Sequence, residues 1–238
     1  MHERVTILFT DIVGFTAMAQ TCQPFQVMHF LHDLFSGFDD LIDMDPRLWK
    51  VETIGDAFMV ASGLGNMDGL DLLESGDDVC LKISRSKKSE IRFRGPGSIP
   101  STKRSSTAAA LIFGKFALSE AGQHTMPNGE VCQIRVGAHT GDVCSGVVGN
   151  RMPRYCLFGD TVNTASRMES TSAAGRLQIS EDTHALVCDD DDFEWEERGS
   201  LEVKGKGEMK TYFLVEETNY EKRSQVLFEY KSSRSTLP

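Results

Sequence analysis

The chain has 238 residues, of which 40% are hydrophobic and 25% charged, a composition typical of one large globular domain. Its formal net charge of −10 argues against a nucleic-acid backbone as a partner. No apolar run approaches the roughly 20 residues of a membrane-spanning helix, and residues 1–20 lack a signal-peptide pattern. The six cysteines show no CxxC pair and no zinc spacing. We therefore expect a soluble, cytoplasmic protein with reduced thiols.

The chain begins with a buried strand followed by an amphipathic helix. Residues 4–10 place Val5, Ile7 and Phe9 on one face of a strand that runs directly into Asp11. Apolar residues at spacings of three and four then predict a helix over about 25–42. Its core-facing stripe is expected to contain Met28, Leu31, Leu34, Phe35, Phe38, Leu41 and Ile42.

A β-hairpin is predicted over 49–62, because the Gly55-Asp56 step separates two runs of β-forming residues. If the first strand pairs with this hairpin, Asp11 and Asp56 lie side by side at one edge of the sheet. Adjacent carboxylates repel each other, and a Mg²⁺ ion, which takes one or two carboxylates together with phosphate oxygens, would remove that conflict. Two aspartates that only cap their turns are an equally good interpretation of these positions.

The segment from residue 65 to about 106 differs in character from its surroundings. It has no sustained periodicity, its first half is acidic and its second half is basic. A polar stretch of this length cannot bury enough apolar area to order itself. We therefore predict a disordered or loosely packed insertion over 65–106.

The second half of the chain alternates between helices and strands. The pattern predicts a helix over 107–121, a strand over 131–138, a glycine-punctuated hairpin over 139–149, a helix over 161–170, a strand over 177–179, a helix over 181–187 and a final β region ending at Leu214. Residues 217–238 resemble a polar tail. The order βαββ, insertion, αβ predicts an α+β fold with a ferredoxin-like (palm-type) βαββαβ core and additional C-terminal α/β elements.

Two further groups of residues could bind a nucleotide. Asn163 and Arg167 are four residues apart and share one helix face, where they suit a ribose oxygen and a phosphate. A surface arginine paired with Glu169 or Asp160 explains the same pattern, and the residues alone favour that explanation. The Lys204-Gly-Lys206-Gly stretch could let a lysine reach a phosphate, although such a short motif is weak evidence.

Together these motifs resemble the catalytic domain of class III nucleotidyl cyclases, specifically the guanylyl cyclases. The resemblance covers about 3–64 and 107–216 and consists of several long matches in a fixed order, so it is very specific. The matching stretches are Phe9 to Thr16, Lys50 to Val60, His139 to Gly141, Pro153 to Ser170, Val203 to Gly207 and Thr211 to Phe213.

The resemblance implies a two-metal reaction on GTP. Asp11, Asp56 and the Ile12 carbonyl would hold two Mg²⁺ or Mn²⁺ ions, and the ribose 3′-hydroxyl would attack the α-phosphorus to give 3′,5′-cyclic GMP and pyrophosphate. Asn163 would orient the ribose, and Arg167 would neutralise charge on the α-phosphate. The terminal phosphates would be bound by Lys206, with Lys204 as the alternative.

The resemblance also assigns the base. Glu52 can accept hydrogen bonds from N1–H and the N2 amino group of guanine, while Arg154 and the Cys156 thiol can serve O6. Adenylyl cyclases of the family carry Lys in place of Glu52 and Asp or Thr in place of Cys156. An adenylyl cyclase is nevertheless one alternative, and a non-catalytic subunit that only heterodimerises is another.

The family places the metal aspartates on one subunit and the base pocket, Asn and Arg on the other. Because this chain carries both sets, the resemblance implies a head-to-tail homodimer with two equivalent sites. We expect residues 1–216, including the 65–106 insertion, to form the catalytic domain, followed by the 217–238 tail. The domain would belong to a larger parent chain with regulatory domains, and the insertion departs from the short linker that is usual in the family.

Overall fold

The computed structural model describes residues 1–64 and 105–215, and in these ranges the chain forms five helices and eight strands. Their bounds are β1 His2–Ile12, α1 Phe15–Thr21, α2 Pro24–Ile42, β2 Leu48–Ile54, β3 Ala57–Ser62, α3 Ser106–Ala121, β4 Ile134–Val148, β5 Arg154–Phe158, α4 Asp160–Ser170, β6 Leu177–Ser180, α5 Glu181–His184, β7 Trp195–Val203 and β8 Gly207–Leu214. Within the described ranges, none of the helices is both long and apolar enough to cross a bilayer.

The strands form one sheet in the order β2-β3-β1-β4-β6-β8-β7, and β5 pairs with β4. Strands β2, β3, β1 and β4 are antiparallel neighbours and, with α2 and α3, form the predicted ferredoxin-like βαββαβ core. Strand β6 is parallel to β4, and the antiparallel strands β8 and β7 extend the sheet on that side. The predicted α+β fold class is therefore confirmed.

Helices α2 and α3 cover one face of the sheet, and the main apolar core lies between them and the strands. The rings of Phe38 and Phe58 meet edge to face with their centroids 5.3 Å apart. One residue of the expected α2 stripe is wrong, because Met28 is 72% exposed while Val27 and Phe30 are buried. The stripe that packs on the core begins at Val27. Met28 is the next residue, so its side chain is rotated about 100° around the helix axis and is exposed.

The predicted hairpin over 139–149 is wrong. Strand β4 runs without interruption from Ile134 to Val148, and the chain reverses only in residues 149–153 before β5 pairs back onto β4. Two glycines within β4, Gly137 and Gly141, mark close approaches of helix α4. Helix α1 was not predicted, and α5 ends at His184 rather than residue 187.

The insertion and the tail lie almost entirely outside the described residues. Of the predicted 65–106 segment, only Ser105 and Ser106 are described, and they begin helix α3. The Ser105 side chain caps this helix by accepting a hydrogen bond of 3.1 Å from the backbone N–H of Ala108. The expected domain boundaries and the disorder of 65–106 therefore stay predictions.

Candidate active site

Two carboxylates meet at one edge of the sheet. Strand β1 pairs with β3 in a register that sets Thr10 opposite Phe58, so Asp11 at the end of β1 adjoins the two-residue Gly55-Asp56 turn of the hairpin. Gly55 has a φ of 66°, the left-handed conformation that this turn requires. The Asp56 side chain interacts with both the Asp11 carboxyl group and the backbone of Ile12. The structure thus brings Asp11, Ile12 and Asp56 together, as the sequence predicted.

Burial disfavours negative charge at this edge. It raises the pKa of Asp11, to which the neighbouring Asp56 charge adds, and it also raises the pKa of Asp56. A divalent cation would relieve both effects, and two carboxylates with one backbone carbonyl are oxygen ligands of the kind that Mg²⁺ and Mn²⁺ prefer. In 1–64 and 105–215, no three His, Cys, Asp or Glu side chains are grouped so as to hold a metal by themselves. The protein ligands therefore fit an ion that completes its shell with substrate phosphate oxygens.

Arg135 on β4 is a residue of this site that the sequence reasoning missed. It lies directly opposite Asp11 in the β1–β4 ladder and its guanidinium pairs with the Asp11 carboxylate. Its Nε also donates a hydrogen bond of 2.9 Å to Oε1 of Glu169 at the end of α4. The available signal was a charged residue between the apolar Ile134 and Val136 of a predicted strand.

Helix α4 presents Asn163 and Arg167 on its exposed face, as predicted from their spacing. The alternative explanation assigned Arg167 an ion pair with Glu169 or Asp160. Glu169 is instead buried and bonded to Arg135, and Asp160 pairs with Lys206. Among the described residues, no ion-pair partner is found for Arg167, so its guanidinium is available to a ligand.

The Lys204-Gly-Lys206-Gly stretch forms the turn between β7 and β8. Gly205 and Gly207 have φ values of 82° and 75°, so the turn depends on glycine at both positions. The Lys206 ammonium reaches the first turn of α4 and pairs with Asp160, while Lys204 is exposed. The structure therefore places Lys206 beside the helix that carries Asn163 and Arg167.

The predicted base-binding residues lie on two strands that approach each other. Glu52 is on β2, Arg154 and Cys156 are on β5, and β2 and β5 are in contact. Glu52 and Cys156 are partly exposed, and Arg154 is exposed. The Cys156 thiol is 3.6 Å from the backbone carbonyl oxygen of Arg154. A carboxylate and a thiol are thus presented in the same region of the surface.

The Asp11–Asp56 edge and the Asn163–Arg167 pair lie on different sides of helix α4. Glu169, which contacts Arg135 and through it Asp11, is on the buried side of α4. Arg167 is two residues earlier, and therefore about 200° around the helix axis from Glu169. Its side chain consequently projects from the exposed side of the helix, opposite to the side that contacts Arg135.

Comparisons with known proteins show which protein family this chain matches. A family model described as "Adenylate and Guanylate cyclase catalytic domain" matches residues 1–216. The human atrial natriuretic peptide receptor 2 is 40% identical over 215 residues, which are 90% of this chain but 17% of the receptor. This chain therefore corresponds to about a sixth of the length of such relatives.

Solved structures agree with the family match. The guanylate cyclase domain of RhGC from Catenaria anguillulae, in complex with GTP, superposes with a TM-score of 0.69 at 31% identity, covering 90% of this chain and 97% of that domain. The guanylyl cyclase domain of the RhoGC fusion protein from Blastocladiella emersonii, described as a non-canonical dimer, gives a TM-score of 0.66 at 29% identity, covering 90% of this chain and 97% of that domain.

Proposed function

The chain belongs to the adenylate and guanylate cyclase catalytic domain family, and we propose that it converts GTP to 3′,5′-cyclic GMP and pyrophosphate. The choice of GTP rests on Glu52 and Cys156, which lie on β2 and β5, two strands that are in contact. A carboxylate accepts the N1–H and N2 amino donors of guanine, whereas adenine would direct the N1 lone pair at it. The human receptor and the Catenaria domain each match 90% of the chain. Their names identify them as a peptide receptor and a guanylate cyclase.

In the proposed mechanism, Asp11, Asp56 and the Ile12 carbonyl would hold two Mg²⁺ or Mn²⁺ ions. When bound, these ions would lower the pKa of the ribose 3′-hydroxyl and carry charge of the triphosphate. Asn163 orients the ribose so that the 3′-oxygen is in line with the α-phosphorus. Arg167 neutralises the charge that develops on the α-phosphate, and Lys206 leaves Asp160 to bind the terminal phosphates.

We further propose that the working unit is a head-to-tail homodimer with two shared sites. The exposed face of α4 and the Asp11–Asp56 edge point apart in one chain, so a second chain is needed to bring them together. The arm formed by β4 and β5 exposes apolar side chains that a partner subunit could cover, namely Val147, Val148, Met152, Tyr155 and Phe158. The matched receptor is far longer than this chain, which supports the proposal that the parent protein carries regulatory domains. We also propose that the cyclase domain works in the cytoplasm.

A product assay tests the function directly. Purified protein is incubated with GTP or ATP in the presence of Mn²⁺ or Mg²⁺, and cyclic nucleotide and pyrophosphate are quantified over a range of protein concentrations. We expect cyclic GMP, with a rate per chain that rises with concentration as dimers form. Preference for ATP would refute the base assignment. A stable homodimer that is inactive with both nucleotides, yet activated by another cyclase subunit, would instead indicate a non-catalytic subunit.

A further inference from the structure

Helix α4 lies directly on the backbone of strand β4 at two glycines. A Cβ atom added to Gly137 would stand 1.9 Å from the backbone nitrogen of Glu169 and 2.3 Å from the carbonyl carbon of Met168. A Cβ atom on Gly141 would stand 2.6 Å from Oγ1 of Thr161. Real Cβ atoms essentially never come within 3.0 Å of such neighbours. Gly137 therefore excludes any side chain while the helix stays where it is, and Gly141 does so while the Thr161 side chain keeps its position.

The two glycines support opposite ends of the helix. They are four residues apart in one strand and so lie on the same face of the sheet. Gly141 lies under Thr161 in the first turn of α4, and Gly137 lies under the last turn, at Met168 and Glu169. Thr161 Oγ1 additionally donates a hydrogen bond of 2.7 Å to the carbonyl oxygen of Asp142. The height of α4 above the sheet is thus fixed at both ends.

Asn163 and Arg167 project from the opposite side of the same helix. We propose that Gly137 and Gly141 are positioning residues, which set the distance of α4 from the sheet and thereby the distance that Asn163 and Arg167 extend toward the shared site. This inference rests on the proposed cyclase function and its dimer. A Cβ at Gly137 requires the helix backbone to move by more than about 1 Å, and displacements of that size can lower a rate roughly 100-fold.

The first test is Gly137→Ala, assayed for kcat and KM with GTP. We expect kcat to fall roughly 100-fold while KM changes by less than about threefold, because the base pocket and the aspartates lie on other elements. Gly122→Ala is the control, since Gly122 ends α3 with φ −64° and ψ −12°, a helical conformation that alanine adopts without strain. Near wild-type kcat for Gly137→Ala, or an equal loss for Gly122→Ala, would overturn the proposal.

Gly141 permits a rescue that Gly137 does not. The obstacle at Gly141 is a side chain, so Gly141→Ala combined with Thr161→Ala should recover most of the kcat lost in Gly141→Ala alone. The obstacle at Gly137 is backbone, so Thr161→Ala should recover nothing there. If Gly137→Ala fails to fold or dimerise, judged by circular dichroism and light scattering, this rescue decides the question. A double variant no better than Gly141→Ala would then refute the positioning role.

Mixed dimers locate the defect. In the shared-site dimer, Gly141→Ala should damage only the half that supplies Asn163 and Arg167, because Gly141 lies under the first turn of α4, away from the contacts that join Glu169, Arg135 and Asp11. Mixing it with Asp56→Ala should therefore restore roughly a quarter of the wild-type rate if chains exchange at random between symmetric dimers. Mixing it with Arg167→Ala should restore none, and equal recovery in both mixtures would overturn the proposal. Absence of cyclic GMP from the wild type would refute the proposed function itself, a result distinct from an active wild type with an unimpaired glycine variant.

Discussion

Arg135 joins the Asp11–Asp56 edge to the end of α4: its guanidinium pairs with Asp11, and its Nε donates a hydrogen bond of 2.9 Å to Glu169. Burial raises the pKa of Glu169, and the hydrogen bond from Arg135 opposes that shift. Without Arg135, the partly buried carboxylates of Asp11 and Glu169 would lose the cation that pairs with both of them. They would then repel each other and Asp56. A residue that the motifs did not identify thus compensates the charge of the site.

Replacing Arg135 with Ala should destabilise the domain. Glu169 and Asp11 would each lose a charge-assisted hydrogen bond while remaining partly buried, so we expect a loss of about 1–3 kcal/mol in the free energy of unfolding. Urea denaturation at pH 7 measures it. Arg176→Ala, which removes an exposed pair with Glu196, is the control and should cost less than Arg135→Ala. An unchanged midpoint for Arg135→Ala would contradict this interpretation.

His139 should make the fold sensitive to mild acid. Burial lowers the pKa of His139, whose Nδ1 lies 2.6 Å from Oγ of Ser180. The unfolded chain then binds a proton more readily than the folded one, so this residue's contribution to stability is lost as pH falls through about 6.5 toward the lower folded value. Asp11, Asp56 and Glu169 have raised pKa values and act in the opposite direction.

Comparison of wild type with His139→Gln separates these contributions. The carboxylates are the same in both proteins, so the difference between their unfolding free energies, measured from pH 7.5 to 5.0, reports His139 alone. We expect the wild type to lose more stability than His139→Gln over this range. Parallel curves for the two proteins would show that the pKa of His139 is the same in the folded and unfolded states.

Thiol labelling should distinguish the cysteines and test the base pocket. Burial raises the pKa of Cys132 to about 12, so it should resist iodoacetamide at pH 8, while the exposed Cys144 and Cys188 react. Cys156 is partly exposed and should be protected by GTP in the presence of Mn²⁺, with Asn163→Ala used to slow turnover. Mass spectrometry gives the rate at each site, and Cys144 serves as the internal control. Equal labelling of Cys156 with and without GTP would argue against its place beside the base.

The sequence predicted most of the fold because its elements have strong local patterns. The 3.6-residue period of α2 and the Gly55-Asp56 turn are local signals, whereas the pairing of β1 with the hairpin, which the sequence left conditional, is given by the structure. The predicted hairpin over 139–149 failed because Gly141 allows the packing of α4, which is a tertiary contact, and does not mark a turn. Arg135 was missed for the same reason, since its importance depends on strand register and on the end of a distant helix.

Exchange of the base-pocket residues should change nucleotide preference. In Glu52→Lys with Cys156→Asp, the donors at position 52 and the acceptor at position 156 match the N1 acceptor and N6 donor of adenine. We expect the ratio of kcat/KM for ATP to that for GTP to rise on the order of 10-fold to 100-fold, since each mismatched buried polar group costs about 1–3 kcal/mol. The conservative double variant Glu52→Gln with Cys156→Ser is the control and should lower GTP turnover without favouring ATP. An unchanged nucleotide preference would indicate that other residues bind the base.

Complementation between two inactive variants tests the shared site. Asp56→Ala removes a proposed metal ligand, and Arg167→Ala removes the cation proposed to neutralise the α-phosphate, so each homodimer should lose nearly all activity. In a mixed dimer, one site combines the intact Asp56 of one chain with the intact Arg167 of the other, while the second site carries both defects. We expect an equimolar mixture to recover roughly a quarter of the wild-type rate after random chain exchange.

Asp56→Ala mixed with Asp11→Ala is the matched control and should stay inactive, because both substitutions fall on the same half. Recovery in the control mixture, or none in the Asp56→Ala and Arg167→Ala mixture despite verified heterodimers, would show that each site is built within one chain.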